Sequence, residues 1–106
     1  MYYEKITEKS LERMIEGLCC DYGRRNAEIK KGEMPRRVLN EYKFLNAKIL
    51  EGVLEIIGPS DAEALIEDIG IKRGYANSPV SRFAEVRYKQ LKAKAKLNIA
   101  KKLFLI

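Results

Sequence analysis

The sequence predicts an all-α fold, a single domain of about one hundred residues built as a bundle of three long helices and one short helix. Three observations predict it. Apolar residues recur at spacings of three, four and seven over most of the 106 residues. Helix-stopping signals punctuate these runs at Gly32, Gly58-Pro59 and Gly70. No segment shows the apolar–polar alternation of a half-buried strand.

The first helix is expected over residues 7–31, with Leu11, Ile15, Leu18, Tyr22 and Ile29 on its apolar face. Thr7 is placed to cap its start, and Gly32 to end it in the left-handed conformation. Gly17 and Gly23 lie inside it. Each costs about 1 kcal/mol relative to Ala, so they either weaken the helix or mark a close helix–helix approach. The second helix spans 35–57, opened by Pro35, with Val38, Tyr42, Leu45, Ile49, Val53 and Ile56 on one row. Leu39, Leu50, Leu54 and Ile57 widen that row, which makes this helix the most buried of the set. The short connection between the first two helices favours an antiparallel hairpin.

Ser60 and Glu63 have the spacing of a capping box and open the short helix, 60–69, which Gly70 ends. A polar loop follows over 71–78, and Ser78-Pro79 opens the last helix, 79–104. On a helical wheel that last helix carries two apolar rows on nearly opposite sides. Val86, Ala93, Leu97, Ala100 and Phe104 form one; Ala84, Tyr88, Leu91, Ala95 and Ile99 form the other. Two apolar sides need two covers. One is the rest of the chain; the other is expected to be a second subunit, giving a homodimer through the C-terminal helix that also shelters Leu103-Phe-Leu-Ile106. The competing expectation is a monomer whose short helix covers the second row.

Charge is distributed unevenly. Residues 82–106 hold eight Lys/Arg against the single acid Glu85, a net +7, whereas residues 1–81 are close to neutral. The cations run along two edges of the last helix, between its apolar rows. Such a stripe is either a solvated flank or a surface for a polyanion. A second cluster surrounds the first turn, where Lys30, Lys31, Arg36 and Arg37 flank Gly32-Glu33-Met34-Pro35. The candidate phosphate contacts are therefore Lys30, Lys31, Arg36 and Arg37 at the turn, Lys72 and Arg73 in the loop, and Arg82, Arg87, Lys89 and Lys94 on the last helix.

Residues 64–83 are similar to a bacterial helix-turn-helix in having a short helix, a glycine, a polar turn and a basic helix. Ten positions separate Gly70 from Val80, longer than the usual motif, which argues against its standard docking geometry. Asn77, Ser78, Ser81, Arg82 and Arg87 lie nearest the start of that helix. The stretch Gly74-Tyr75-Ala76, the following Ser78 and the run Asn98-Ile-Ala-Lys-Lys-Leu103 resemble small helical proteins encoded by phages and prophages of Gram-positive bacteria. The resemblance covers about a third of the chain and implies a mobile-element setting, without a catalytic motif.

Composition narrows the chemistry. There is no histidine, which removes the commonest general base and the serine- and cysteine-based triads. Cys19 and Cys20 are adjacent, point about 100° apart on a helix and cannot bridge without strain. They read as small thiols of a reducing compartment, and two cysteines alone make no zinc site. The acids Asp21, Glu28, Glu41, Asp61 and Asp68 are explained by helix-surface pairing. Glu51 and Glu55 share a face but lack the histidine of a helical di-metal site. No enzyme, cofactor or metal is expected, and no small-molecule substrate is evident. No apolar run is long enough to span a membrane, and Met-Tyr-Tyr-Glu-Lys lacks a signal-peptide core, so a cytoplasmic location is expected. Tyr2 and Tyr3 either lie loose or staple onto the first helix, and Tyr75 either anchors its loop or stacks on a base.

The expected function is that of a small nucleic-acid-binding or regulatory protein that contacts phosphates through its basic last helix. The alternative is an interaction or assembly protein whose lysines only solvate that helix.

Overall fold

The computed structural model describes residues 5–78 and 83–106; expectations on Tyr2, Tyr3, Pro79, Val80, Ser81 and Arg82 lie outside them. The described residues are helical, without strands. The order is α1 (Lys9–Cys20), α2 (Tyr22–Lys31), α3 (Arg36–Leu54), α4 (Pro59–Ile71), a 3₁₀ turn (Tyr75–Asn77) and α5 (Glu85–Lys102).

The expected 7–31 helix is thus two helices, broken at Asp21. The break has a side-chain cause. Arg25 is 3% exposed, and its guanidinium donates to the Leu18 carbonyl and, at 2.7 Å, to Asn46 Oδ1. Asn46 Nδ2 donates to the Tyr22 carbonyl at 3.1 Å and to Asn26 Oδ1 at 2.7 Å. A side chain that takes a ladder carbonyl kinks a helix. Burial lowers the Arg25 pKa, while its position over the carbonyl end of α1 suits a cation. The same bonds hold α2 antiparallel to α3, with Arg24 reaching Tyr42.

Several helix ends differ from expectation. Glu8, not Thr7, precedes α1, and it makes no capping hydrogen bond; its side chain instead accepts from Ser10. Gly58 occupies the cap of α4 with Pro59 in the first turn, so Ser60 is inside the helix and its capping box does not form. Proline is best tolerated there because its missing N–H has no helical partner to lose. Pro35 sits one position before α3, and α3 ends at Leu54, short of 57. Gly32 closes α2 with φ +66°, as expected. The last helix begins at Glu85 and ends at Lys102, where Phe104 takes φ 60° and the Leu105 N–H closes on the Ala100 carbonyl at 2.9 Å. That left-handed turn removes Phe104 from the apolar row and leaves it exposed.

The core is shared by α4 and α5 rather than gathered on the second expected helix. Ala62, Leu65, Ile66 and Ile69 of α4 are buried against Leu11, Ile15 and Cys19 of α1, Ile49 and Val53 of α3, and Leu91, Ala95 and Ile99 of α5. In α3 burial begins only at Asn46, and α2 buries only Tyr22 and Arg25. The outer halves of α2 and α3 therefore project from the core as a two-helix hairpin, in a fold measuring 46 × 28 × 21 Å.

Two glycines set the helix crossings, and they are not the pair the sequence singles out. A Cβ on Gly70 would lie 2.5 Å from the Cys20 nitrogen; one on Gly52 would lie 3.0 Å from the Ile99 nitrogen. Gly17 and Gly23 have nothing within 4 Å of such a Cβ. Gly70 thus sits within α4, as a packing residue, instead of ending it. Gly70→Ala is expected to destabilise by about 1–3 kcal/mol, because rigid backbone on α1 must retreat. Gly17→Ala is expected to stabilise by about 1 kcal/mol through helix propensity alone. Urea denaturation of the two variants checks both signs.

Candidate nucleic-acid interface

The last helix is less of a free basic surface than its sequence suggests. Its row Tyr88, Leu91, Ala95 and Ile99 is buried, and Leu97 and Ala100 of the opposite row are buried as well. The helix packs on α3, α1, α4 and the 3₁₀ turn, so its own chain covers both sides. Most of both apolar rows is thus covered within the chain, while Val86 at the start of the helix and Phe104, Leu105 and Ile106 beyond its end remain exposed.

Several of its lysines face inward. Lys96 Nζ lies 2.8 Å from Glu12 and 3.3 Å from Glu16 on α1, and its hydrogen bond holds the Glu12 carboxyl below the usual range. Lys92 donates to the Arg73 carbonyl at 3.0 Å and lies 5.4 Å from the Tyr88 ring centre; burial lowers its pKa. Lys102 is 3.8 Å from Glu55.

The ten predicted contact residues fall into three groups. Lys30 and Lys31 end α2, Arg36 and Arg37 open α3, and all four are exposed around one turn. Lys31 and Arg37 have long ion pairs, 3.7 Å to Glu28 and 3.9 Å to Glu41, of the exposed kind that contributes about 0–1 kcal/mol. Arg87 and Lys89 lie exposed at the start of α5, with Lys89 3.4 Å from Glu85, while Arg82 lies outside the described residues. Lys94 is half-buried beside a shallow depression of about 540 Å³, together with Glu55, Asn98, Lys101 and Lys102. Lys72 is exposed but pairs with Glu16 at 3.8 Å.

Arg73 is a structural residue. Its guanidinium meets Asp68 at 3.1 Å and Glu67 at 2.8 Å. Asp68 is not a surface acid but has no exposed area. Its carboxylate also accepts from the Ser78 hydroxyl and, at 2.9 Å, from the Tyr88 hydroxyl. Ser78, expected near the start of a recognition helix, is thereby buried. Tyr75 anchors the loop: its hydroxyl donates to the Phe83 carbonyl at 2.7 Å and its ring meets Tyr88 edge-on at 5.5 Å. Every buried side-chain N and O among the described residues has a partner.

The hairpin is itself strongly basic. Residues 24–48 hold eight Lys/Arg against Glu28, Glu33 and Glu41, a net +5, and Lys43 is a further exposed cation there. The signal was available as local charge density, masked by the larger asymmetry at the C-terminus. Arg36 and Arg37 also sit at the wrong end of a helix for stability. The first turn of α3 carries no acid and no side-chain cap. Cations there oppose the helix dipole, at about 0.3–1 kcal/mol each. Uncapped first-turn N–H groups beside two arginines form a ready cradle for an anion.

Elsewhere, Cys19 is buried and Cys20 exposed, with no disulfide. They border an open depression of about 500 Å³ between α1, α2 and α4 that also involves Tyr22, Glu63 and Glu67. Among the described residues no group of three or more His, Cys, Asp or Glu gathers as a metal site, and no helix is long and apolar enough to cross a membrane.

Burial pushes both Tyr88 and Cys19 up to about 12. Each folded pKa lies above its unfolded value, so the associated stability is complete below about pH 9 and is lost as pH rises toward 12. A thermal-melt series is expected to fall across that window, and Tyr88→Phe to flatten the part above pH 10. Comparison with protein-family models, with curated proteins and with solved structures gives no match to this chain.

Proposed function

We propose that this protein binds the phosphate backbone of nucleic acid through the α2–α3 turn, as a small regulatory protein of the mobile-element kind its sequence resembles. One observation carries the reading: Arg36 and Arg37 occupy the uncapped, electropositive start of α3, with Lys30 and Lys31 across the turn. That concentration of like charge costs local stability, and among the described residues no carboxylate makes a short contact to compensate it. A phosphate chain relieves it and meets four cations at once. Arg87, Lys89 and Lys94 on the last helix supply a second basic surface; the inward lysines Lys92 and Lys96 do not take part. No base-reading element is implied, so the expected recognition is of backbone charge.

The test is fluorescence anisotropy with labelled DNA and RNA duplexes across a salt series. Four phosphate contacts on duplex DNA give a log–log slope of about −3 to −4. Lys30→Glu with Arg36→Glu is expected to reduce affinity at least tenfold and to make the slope shallower, whereas Lys96→Gln changes stability before binding. No binding at about 50 mM salt, where the electrostatic contribution is strong, would remove the reading in favour of a protein-docking role.

A further inference from the structure

The exposed face of α3 carries a charge order with an unusual symmetry. Along one stripe of that helix stand Arg37, Glu41, Phe44, Lys48 and Glu51, at spacings of four, three, four and three. These spacings keep all five on one side of a helix. Phe44, at the centre, is 49% exposed, with Leu45 half-buried beside it. Together with Arg37, Asn40 and Glu41 they line an open depression of about 520 Å³. Lys48 leans over the Phe44 ring, 5.7 Å from its centre.

We infer that this face docks a second copy of the chain, with the two α3 helices antiparallel and related by a two-fold axis at Phe44. The charge order decides the partner and the direction. Reversing the stripe end for end exchanges every sign: plus, minus, Phe, plus, minus becomes minus, plus, Phe, minus, plus. An antiparallel copy therefore sets Arg37 against Glu51 of the partner subunit and Glu41 against Lys48 of the partner subunit, with the phenylalanines in contact. The registers match within one residue, a rise of about 1.5 Å. A parallel copy would oppose like charges at all four positions. A two-fold interface requires this kind of self-complementary patch.

Within one chain the same charges are only loosely satisfied, with Arg37 3.9 Å from Glu41 and Lys48 3.6 Å from Glu51. They are free to exchange partners across the interface. The contact spans about 21 Å of helix, fourteen residues at 1.5 Å each. With a single large apolar group at its centre it falls toward the small end of specific interfaces, so the dimer is weak and concentration-dependent. This dimer is independent of nucleic-acid binding: the α3 stripe alone carries it, and it is read out as mass without nucleic acid.

Sedimentation equilibrium over a wide concentration range tests the inference. The parent chain is expected to move from monomer to dimer as concentration rises, and Phe44→Glu to remain monomeric. Arg37→Glu and Glu51→Arg are each expected to lose dimer when alone, because each places like charges opposite one another at both ends. An equimolar mixture of the two is expected to recover it, as one chain then presents only acids and the other only bases at positions 37 and 51. Such rescue cannot arise inside one helix, where these positions are about 21 Å apart. A parent chain monomeric at every concentration, a dimer indifferent to Phe44→Glu, or a mixture without recovery would each overturn it. All the altered side chains are on the surface, and circular dichroism confirms equal helix content before the masses are compared.

Discussion

A carboxylate with no access to water organises the second half of this fold. Asp68 on α4 must be compensated where it sits, since an unpaired buried charge costs several kcal/mol. Its compensation comes from Arg73, Ser78 and Tyr88, which lie beyond α4, before the last helix and on it. Satisfying one side chain thus ties the end of α4, the 3₁₀ turn and the start of α5 to a single point. Once Tyr88 is fixed, the register of α5 follows. Lys92 reaches the Arg73 carbonyl, Lys96 reaches Glu12 and Glu16, and Asn98 donates to the Gly52 carbonyl where α5 crosses α3.

What was legible in the sequence follows from which forces are local. Helical class, the stop at Gly32 and the antiparallel meeting of α2 and α3 depend on periodicity and on short-range backbone preference, and these are written along the chain. The break at Asp21 depends on Arg25 meeting Asn46, twenty-one positions away, and a helical wheel contains no such information. The glycines make the same point. Gly17 and Gly23 differ from Gly52 and Gly70 only in what lies opposite them, which is a property of the assembled fold. Local rules also competed at α4: the Ser60–Glu63 spacing is a valid start signal, but Gly58 and Pro59 begin the helix earlier.

The candidate site was half legible for a related reason. A count of charges along the last helix treats every lysine alike, yet Lys92 and Lys96 serve the interior and Arg73 serves Asp68. The basic turn between α2 and α3 has fewer charges but keeps all of them outside. Net charge therefore overstates the helix that needs its cations for folding. It understates the turn whose arginines stand against the dipole of their own helix.

The projection of that hairpin has an energetic consequence. Beyond Arg25 on α2 and before Asn46 on α3 no side chain is fully buried, so the two arms are held by half-covered contacts with each other. Opening them exposes little apolar surface and leaves the core of α1, α4, α5 and the inner half of α3 standing. The free energy of that local opening is consequently set by the hairpin and not by the global stability of the chain. Anything gripping the turn would register as a change in amide-exchange protection confined to residues 26–45, a unit that can loosen or tighten while the rest of the molecule stays as it is.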